Sequence, residues 1–251
     1  MLPQNATLFA PAKLTLSLRV TGVRDDGMHL IDAEMVTLDF GDTLEISPGS
    51  GVRYEGTYSG ESDGTDLVAR ALALVDQQRQ VHVTKRIPPG AGLGGGSSDA
   101  AAILAAAGYD DLRGAAALGA DIAFCLDGGR AQVSGIGEII DGLPHIDRTV
   151  TLLTPRVHCS TPAVYRAWDE LGGPIGDNGN DLEPAALAVA PELAEWRDRL
   201  SAHTGRRARL AGSGSTWFVE GEFPGDGMVV ARTTPSRRSE VDGDGENQTR
   251  R

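Results

Sequence analysis

The clearest pattern of apolar and polar positions in this chain is a strict alternation over residues 8–20, LFAPAKLTLSLRV. Apolar side chains occupy every second position, while Lys13 and Thr15 fall between them. A period of two places successive side chains on opposite faces of a β-strand. The pattern therefore predicts a strand over 8–20 with one apolar face and one polar face that carries Lys13.

Weaker patterns divide the rest of the chain into short strands and helices. Strands are predicted at 43–46, 81–87 and 149–153, with a mixed apolar stretch at 29–40, a junction at 41–42, and strand–turn structure at 47–64 and 207–221. Helices are predicted at 66–78, 109–118, 161–171 and 191–203, with a tight turn at 119–121 and a helix cap at Asn180–Asp181. The absence of βαβ regularity favours an α+β fold. Residues 233–251 are polar and aperiodic, which predicts a disordered tail.

Residues 88–102, PPGAGLGGGSSDAAA, combine a glycine-rich segment with Ser97, Ser98 and a run of alanines. Glycine allows the backbone to approach a ligand closely, and serine followed by alanine favours the start of a helix. A loop that leads into a helix N-terminus offers unpaired N–H groups and the positive end of the helix dipole to an anion. The segment therefore predicts a phosphate site, and with it a nucleotide.

Two common phosphate loops do not fit this segment. The P-loop pattern requires a lysine after its last glycine, and no lysine occurs there. Three of the glycines match the dinucleotide-binding spacing, with Asp110 near the place of the ribose-binding acid, but that fold requires a buried parallel strand just before the loop. The preceding residues 81–89, VHVTKRIPP, alternate and end in two prolines, which indicates a half-exposed antiparallel strand instead.

Composition narrows the classes of partner. The 251 residues suffice for one large domain or two small ones, and the formal charge of −12 argues against a nucleic-acid partner. Cys125 and Cys159 are too few for a disulfide framework and match no metal spacing. With no signal-peptide pattern and no long apolar run, we expect a soluble cytoplasmic protein without a membrane partner, either a monomer or a weak homodimer.

Lysine is rare, because Lys13 and Lys85 are the two lysines among 23 basic residues. Lysine presents a compact, movable point charge, whereas arginine presents a broad planar fork. A lysine at position 13 in a chain so rich in arginine therefore suggests a specific role there.

Five segments, in chain order, resemble motifs of the GHMP kinases, a family of small-molecule kinases. They are APAKLTLSLRVTGVRDDGMHL (10–30), PPGAGLGGGSSDAAA (88–102), GADIAFCLDGG (119–129), NDLE (180–183) and LAGSGSTWF (210–218). The resemblance implies an α+β fold of two domains, ribosomal-protein-S5-like over 1–148 and ferredoxin-like over 149–232, with the active site between them. The helix and final strand expected after LAGSGSTWF have no evident counterpart, so the second domain is predicted to be shortened.

The resemblance also implies ATP as phosphate donor, Mg²⁺, and transfer to a hydroxyl of a small alcohol. It places the catalytic pair at Lys13 and Asp121. Asp121 would accept or orient the proton of the substrate hydroxyl, and Lys13 would pair with that carboxylate and stabilise charge on the transferring group. The implied cofactor-binding residues are Pro89, Gly90, Gly92, Leu93, Gly94, Gly95, Gly96, Ser97 and Ser98, with Ser98 also the implied Mg²⁺ ligand.

The triple glycine and the TP segment at 161–162 are most similar to family members whose substrate is a cytidine-diphosphate-linked polyol used in isoprenoid precursor synthesis. On this basis Thr161 would hydrogen-bond the cytidyl group, and Tyr165 would stack on the pyrimidine, a contact worth roughly 1–3 kcal/mol. Gly212 and Ser213 would offer backbone N–H groups to the diphosphate. The full implied substrate-binding set is Thr15, Met28, His29, Thr161, Tyr165, Gly212 and Ser213.

Three positions depart from the family pattern. Met28 stands where an aromatic residue is expected, Thr15 where asparagine is expected, and Ala123 where proline is expected. These departures leave two alternatives open. One is a GHMP kinase that acts on another small alcohol, and the other is a non-catalytic nucleotide-binding relative.

Overall fold

The computed structural model describes residues 1–237, in which a mixed sheet is packed against seven helices. The strands are β1 (Ala6–Val23), β2 (His29–Ser47), β3 (Gly51–Gly56), β4 (Gly60–Glu61), β5 (Gln80–Lys85), β6 (Arg130–Gly135), β7 (Ile139–Leu143), β8 (Thr149–Leu153), β9 (Arg209–Leu210), β10 (Trp217–Glu220) and β11 (Met228–Thr234). The helices are α1 (Leu67–Leu74), α2 (Gly95–Ala106), α3 (Leu112–Leu118), α4 (Ala120–Asp127), α5 (Thr161–Glu170), α6 (Glu183–Val189) and α7 (Leu193–Thr204). The predicted α+β class is confirmed. Within 1–237, no helix has the length and apolarity that crossing a membrane would require.

β1 and β2 form a long antiparallel hairpin. The strand predicted from the alternation at 8–20 is confirmed, and two of its polar residues, Lys13 and Thr15, are buried. Lys13 is 6% exposed and Thr15 is 2% exposed. The backbone N–H of Lys13 donates to the Leu93 carbonyl at 3.1 Å, so the glycine-rich segment lies directly against this strand. The part of the polar face that carries Lys13 is therefore covered by a segment distant in the sequence.

β2 continues unbroken through Gly41 and Asp42, where the sequence predicted a junction between two pieces. Gly41 pairs with Pro11 of β1, and a Cβ at position 41 would lie 2.2 Å from the Ala10 carbonyl oxygen. The strands therefore approach each other more closely than a side chain permits. Two pieces were predicted because glycine and aspartate usually mark a turn, whereas here pairing with β1 spans them.

The sheet has the order β4-β3-β5-β2-β11-β8-β10-β9, with β1 and β6 also paired to β2 and β7 paired to β6. β11 pairs with β2 on one side and with β8 on the other, at Thr234↔Thr37 and Arg232↔Thr149. The N-terminal and C-terminal halves of the chain therefore share one continuous sheet. The division at residue 148, just before β8, stays a prediction.

β11 corrects two predictions about the C-terminal part of the chain. The final strand expected after LAGSGSTWF is present, and Thr233 and Thr234, assigned to the predicted tail, belong to it. Its apolar residues run consecutively over 228–231 rather than alternating, so no period of two marked this strand in the sequence. The described residues 221–227 contain no helix, and the shortening of the second domain stays a prediction. Residues 238–251 of the predicted tail lie outside the described residues.

α2 is the central helix, packed against α1, α4 and β1. Its residues 98–104 are buried, and the alanines among them allow these neighbours to come close. The helices predicted at 66–78, 109–118, 161–171 and 191–203 correspond to α1, α3, α5 and α7, each somewhat shorter than predicted. The burial of α2 fixes the position of the glycine-rich loop that precedes it.

Two local predictions were wrong. The turn predicted at 119–121 is the start of α4, which places Asp121 in the first helical turn. Asp181 does not cap α6, because its carboxylate accepts from the Arg19 guanidinium at 2.5 Å and from the Val20 backbone N–H at 3.0 Å. Asp181 thus joins the segment before α6 to β1, and Asn180 accepts from the Leu182 N–H instead.

Candidate active site

A cavity of about 1190 Å³ is lined by the glycine-rich loop and by residues from β1, α4, α5 and the loop between β9 and β10. Its lining includes both residues of the predicted catalytic pair, the loop from Pro89 to Ser97, and every predicted substrate-binding residue. Ser98 is the one predicted site residue that does not line it. The five motifs are widely separated in the sequence, yet each contributes residues to the lining of this one cavity.

Lys13 and Asp121 form an ion pair in this cavity, with 3.3 Å between Nζ and the nearer carboxylate oxygen. Lys13 Nζ also donates to Thr15 Oγ1 at 3.3 Å. The Lys13 side chain is 8% exposed, whereas that of Asp121 is 34% exposed. The carboxylate is therefore the accessible member of the pair, and its place in the first turn of α4 suits the positive end of that helix dipole.

The glycine-rich loop lies on top of Lys13. Gly94 has φ +68° and precedes α2, and a Cβ at this position would lie 2.7 Å from Lys13 Cγ. The first backbone N–H groups of an α-helix have no acceptor within the helix. In α2 those groups belong to residues that line the cavity, namely Gly95, Gly96 and Ser97. The loop therefore presents an anion-binding helix terminus next to the Lys13 ammonium.

Ser98 points away from the cavity. Its hydroxyl donates to the Pro11 carbonyl of β1 and lies 3.4 Å from Cys125 Sγ, and the residue is 1% exposed. The geometry gives no support to the prediction that Ser98 holds Mg²⁺, because the strand backbone already occupies its hydroxyl. Ser97 is the loop serine that lines the cavity. Among residues 1–237 no group of three or more histidine, cysteine or acidic side chains could hold a metal ion.

An aromatic cluster lines the cavity beside α5. The His29 ring lies 4.6 Å from the Tyr165 ring at an interplanar angle of 34°, and 5.6 Å from the Trp168 ring at 84°. Burial raises the pKa of Tyr165 to about 12, and the nearby charge of Asp121 acts in the same direction. Met28, which is 46% exposed, lines the cavity next to this cluster. The cluster provides flat, partly buried surfaces suited to a base.

The loop between β9 and β10 is fixed against α5. Thr161 and Ser213 share a hydrogen bond of 2.9 Å between their hydroxyls. The buried Asn180 side chain donates to the carbonyls of Leu210 and Gly212, at 2.9 and 2.7 Å. Sequence reasoning treated Asn180 as a helix cap, yet its amide also positions the loop whose backbone faces the cavity.

A buried ion cluster under the loop was missed by sequence reasoning. Lys85 Nζ contacts the carboxylates of Asp42 and Asp99, and all three residues are at most 7% exposed. The Asp42 carboxylate also accepts from the backbone N–H groups of Arg86 and Ile87. The available signal was that Lys85, the other lysine, falls on the apolar face of the alternating segment with Val81 and Val83. The cluster joins β2, β5 and α2 just below Gly95.

Burial raises the pKa of Asp99 to about 7, against the opposing effect of Lys85 and with the added repulsion of Asp42. Between about pH 4 and 7 the folded protein therefore holds a proton that the unfolded chain releases, so this group's contribution to stability falls as the pH rises. Asp99→Asn removes that titration. We expect the unfolding free energy of Asp99→Asn, relative to the unsubstituted protein, to rise from pH 5 to pH 8 in urea titrations. If the unfolding free energies of the two proteins changed with pH in parallel, the raised pKa of Asp99 would be contradicted.

Comparison with known proteins places these features in a family. Residues 65–129 match the model described as "GHMP kinases N terminal domain". A protein of Ruegeria pomeroyi, named 4-diphosphocytidyl-2-C-methyl-D-erythritol kinase, is 36% identical over 252 residues, covering 87% of this chain and 89% of the relative. This chain belongs to the GHMP kinases. It is a small-molecule kinase of that family, as its motifs predicted.

Solved structures of GHMP kinases share the fold. A crystal structure of 4-(cytidine 5'-diphospho)-2C-methyl-D-erythritol kinase is similar with a TM-score of 0.71 at 30% identity, over 91% of this chain and 99% of the other. A homoserine kinase from Cytophaga hutchinsonii is similar with a TM-score of 0.60 at 19% identity, over 94% and 96% of the two chains. The similarity to the homoserine kinase shows a shared fold and no more. The GHMP kinase fold predicted from the sequence is confirmed.

Proposed function

We propose that this GHMP kinase transfers the γ-phosphoryl group of ATP to the 2-hydroxyl of 4-diphosphocytidyl-2-C-methyl-D-erythritol, giving the 2-phosphate and ADP in non-mevalonate isoprenoid precursor synthesis. The observation that carries the proposal is one cavity lined by a phosphate loop, a lysine–carboxylate pair and a ring cluster suited to a pyrimidine. The names of the relatives support it.

The catalytic roles follow from the geometry around Lys13. Residues 94–97 bind the ATP phosphates through the backbone N–H groups at the start of α2. Lys13, adjacent to this loop, stabilises negative charge on the transferring phosphoryl group. Asp121, 3.3 Å from Lys13 and more exposed, accepts the proton of the attacking hydroxyl. Burial and the hydrogen bond to Thr15 fix the position of Lys13. Lys13 therefore orients the Asp121 carboxylate within the cavity.

This site could hold Mg²⁺ with a small number of protein ligands. Magnesium in kinases is held by one or two side chains together with substrate phosphates and water. Ser97, in the phosphate loop, lines the cavity with a hydroxyl that could contribute, whereas the Ser98 hydroxyl is bonded to the Pro11 carbonyl. The chemistry that Mg²⁺ supplies is neutralisation of phosphate charge.

The aromatic cluster serves as the cytidine site in this proposal. Tyr165 offers its ring face, His29 its ring edge, and the Thr161–Ser213 pair its hydroxyls to the cytidyl and diphosphate groups. Met28 can cover the opposite face of the base with its thioether, since sulfur lies favourably against aromatic rings. The proposal thus assigns the phosphate loop to ATP and the α5 side to the acceptor.

A panel of acceptors tests the proposed substrate. Purified protein is incubated with Mg·ATP and either 4-diphosphocytidyl-2-C-methyl-D-erythritol, homoserine or mevalonate, and ADP release is followed. We expect rapid ADP release with the diphosphocytidyl compound alone. Turnover on another alcohol without turnover on the diphosphocytidyl compound would overturn the substrate assignment. ATP binding without turnover on any acceptor would indicate a non-catalytic relative.

A further inference from the structure

Asp169, on the last turn of α5, contacts His29 across the mouth of the cavity. Its Oδ1 lies 2.8 Å from His29 Nε2, and both residues line the cavity. Tyr165 and Trp168, on the same helix, pack against the same imidazole. A residue at the start of β2 is therefore held by three side chains of α5, although 140 positions separate His29 from Asp169 in the chain.

This contact fixes where the imidazole carries its proton. A carboxylate accepts hydrogen bonds and does not donate them, so Nε2 must carry the hydrogen. In a neutral ring the other nitrogen, Nδ1, is then a hydrogen-bond acceptor. Within residues 1–237, no protein group is hydrogen-bonded to Nδ1, so this nitrogen remains for a ligand. The His29 side chain is 10% exposed, whereas that of Asp169 is 49% exposed.

We propose that Asp169 is a positioning residue that selects cytosine, because it holds the His29 ring with Nδ1 as an acceptor for the exocyclic amino group of the base. This inference rests on the proposed function. Cytosine has an N–H donor at its 4-position, whereas uracil has a carbonyl oxygen there. That oxygen would face the Nδ1 lone pair, and two acceptors facing each other disfavour binding.

Without Asp169 the His29 ring would remain stacked on Tyr165, but either of its nitrogens could carry the proton. Removal of Asp169 would then lower the preference for cytosine over uracil and leave the fold intact.

The test compares Asp169→Ala with Glu170→Ala, which removes the same charge from the exposed neighbour on α5. Binding of cytidine 5'-diphosphate and of uridine 5'-diphosphate is measured by calorimetry, and the His29 Nε2–H proton is followed by NMR of ¹⁵N-histidine-labelled protein. His29 is one of five histidines, and a His29→Asn sample assigns its signal.

In the unsubstituted protein and in Glu170→Ala we expect a preference for the cytidine nucleotide and an Nε2–H proton protected from exchange with water. In Asp169→Ala we expect the preference to fall about tenfold, the effect of losing one hydrogen bond to a charged group, and the protected proton to disappear. An unchanged preference or a persistent proton in Asp169→Ala would overturn the inference. Failure of the unsubstituted protein to bind either nucleotide would instead count against the proposed function, while the proton signal still decides the contact between Asp169 and His29.

Discussion

Asp121→Asn is expected to lower kcat at least about 1000-fold, because the amide that replaces the carboxylate cannot accept the proton of the attacking hydroxyl. Asparagine has nearly the same shape as aspartate, and position 121 is 34% exposed in the first turn of α4, so the fold should tolerate the change. The Lys13 ammonium keeps its hydrogen bond to Thr15 in this variant. ATP affinity should therefore stay within about twofold, since Asp121 acts in the transition state rather than in nucleotide binding.

Asp110→Asn is the matched control for this experiment. Asp110 is exposed, lies outside the cavity lining, and is the residue that a dinucleotide-binding interpretation of the glycine loop would have used for ribose. Steady-state kinetics and ATP titration of both variants give the comparison. Full activity in Asp121→Asn would remove Asp121 from the mechanism. Loss of nucleotide binding in Asp110→Asn would revive the dinucleotide interpretation.

Gly92→Ala is expected to damage both the phosphate loop and the loop before β10. Gly92 has φ +77°, and a Cβ there would lie 2.4 Å from the Ala211 carbonyl oxygen and 2.7 Å from the Gly214 carbonyl oxygen. These are backbone atoms, and the same two loops are joined by a hydrogen bond from the Thr216 N–H to the Ala91 carbonyl. The methyl group must therefore push the loops apart, which widens the site between them.

Backbone strain and collision can be separated with Gly108→Ala. Gly108 also has φ +77°, but a Cβ there meets no atom within 4 Å. A left-handed conformation costs alanine roughly 1–2 kcal/mol, so both variants should lose about that much stability. We expect Gly92→Ala to lose more, and the KM for ATP to rise at least about tenfold in this variant alone, a change that corresponds to about 1.4 kcal/mol. Equal stability and equal KM in the two variants would show that the two loops do not depend on each other.

The sequence predicted the elements whose signals are local. The alternation at 8–20 identified β1, and glycine followed by serine and alanine identified the loop and helix α2. The family motifs identified the residues that line the cavity, since motif order carries information that periodicity does not. The sequence therefore predicted these elements and much of the cavity lining, but not the directions in which the side chains point.

The features that could not be predicted from the sequence depend on contacts between distant segments. Ser98 precedes an alanine run like any helix-capping serine, and only the approach of β1 shows that its hydroxyl is bonded to the Pro11 carbonyl. Lys85 and Asp99 belong to different motifs, and burial brings their charges together with Asp42. β11 is defined by its pairing with β2 and β8, because its sequence shows no alternation of apolar and polar residues. Each of these features is a consequence of tertiary packing.

The most direct test of the central claim is ³¹P NMR of the complete reaction of the unsubstituted protein with Mg·ATP and 4-diphosphocytidyl-2-C-methyl-D-erythritol. We expect the two diphosphate signals of the acceptor to persist, ADP to accumulate, and one new phosphomonoester signal to appear that couples to the carbon bearing the 2-hydroxyl. ADP without a new phosphomonoester, or a phosphoryl group on a different hydroxyl, would contradict the assignment of this cavity.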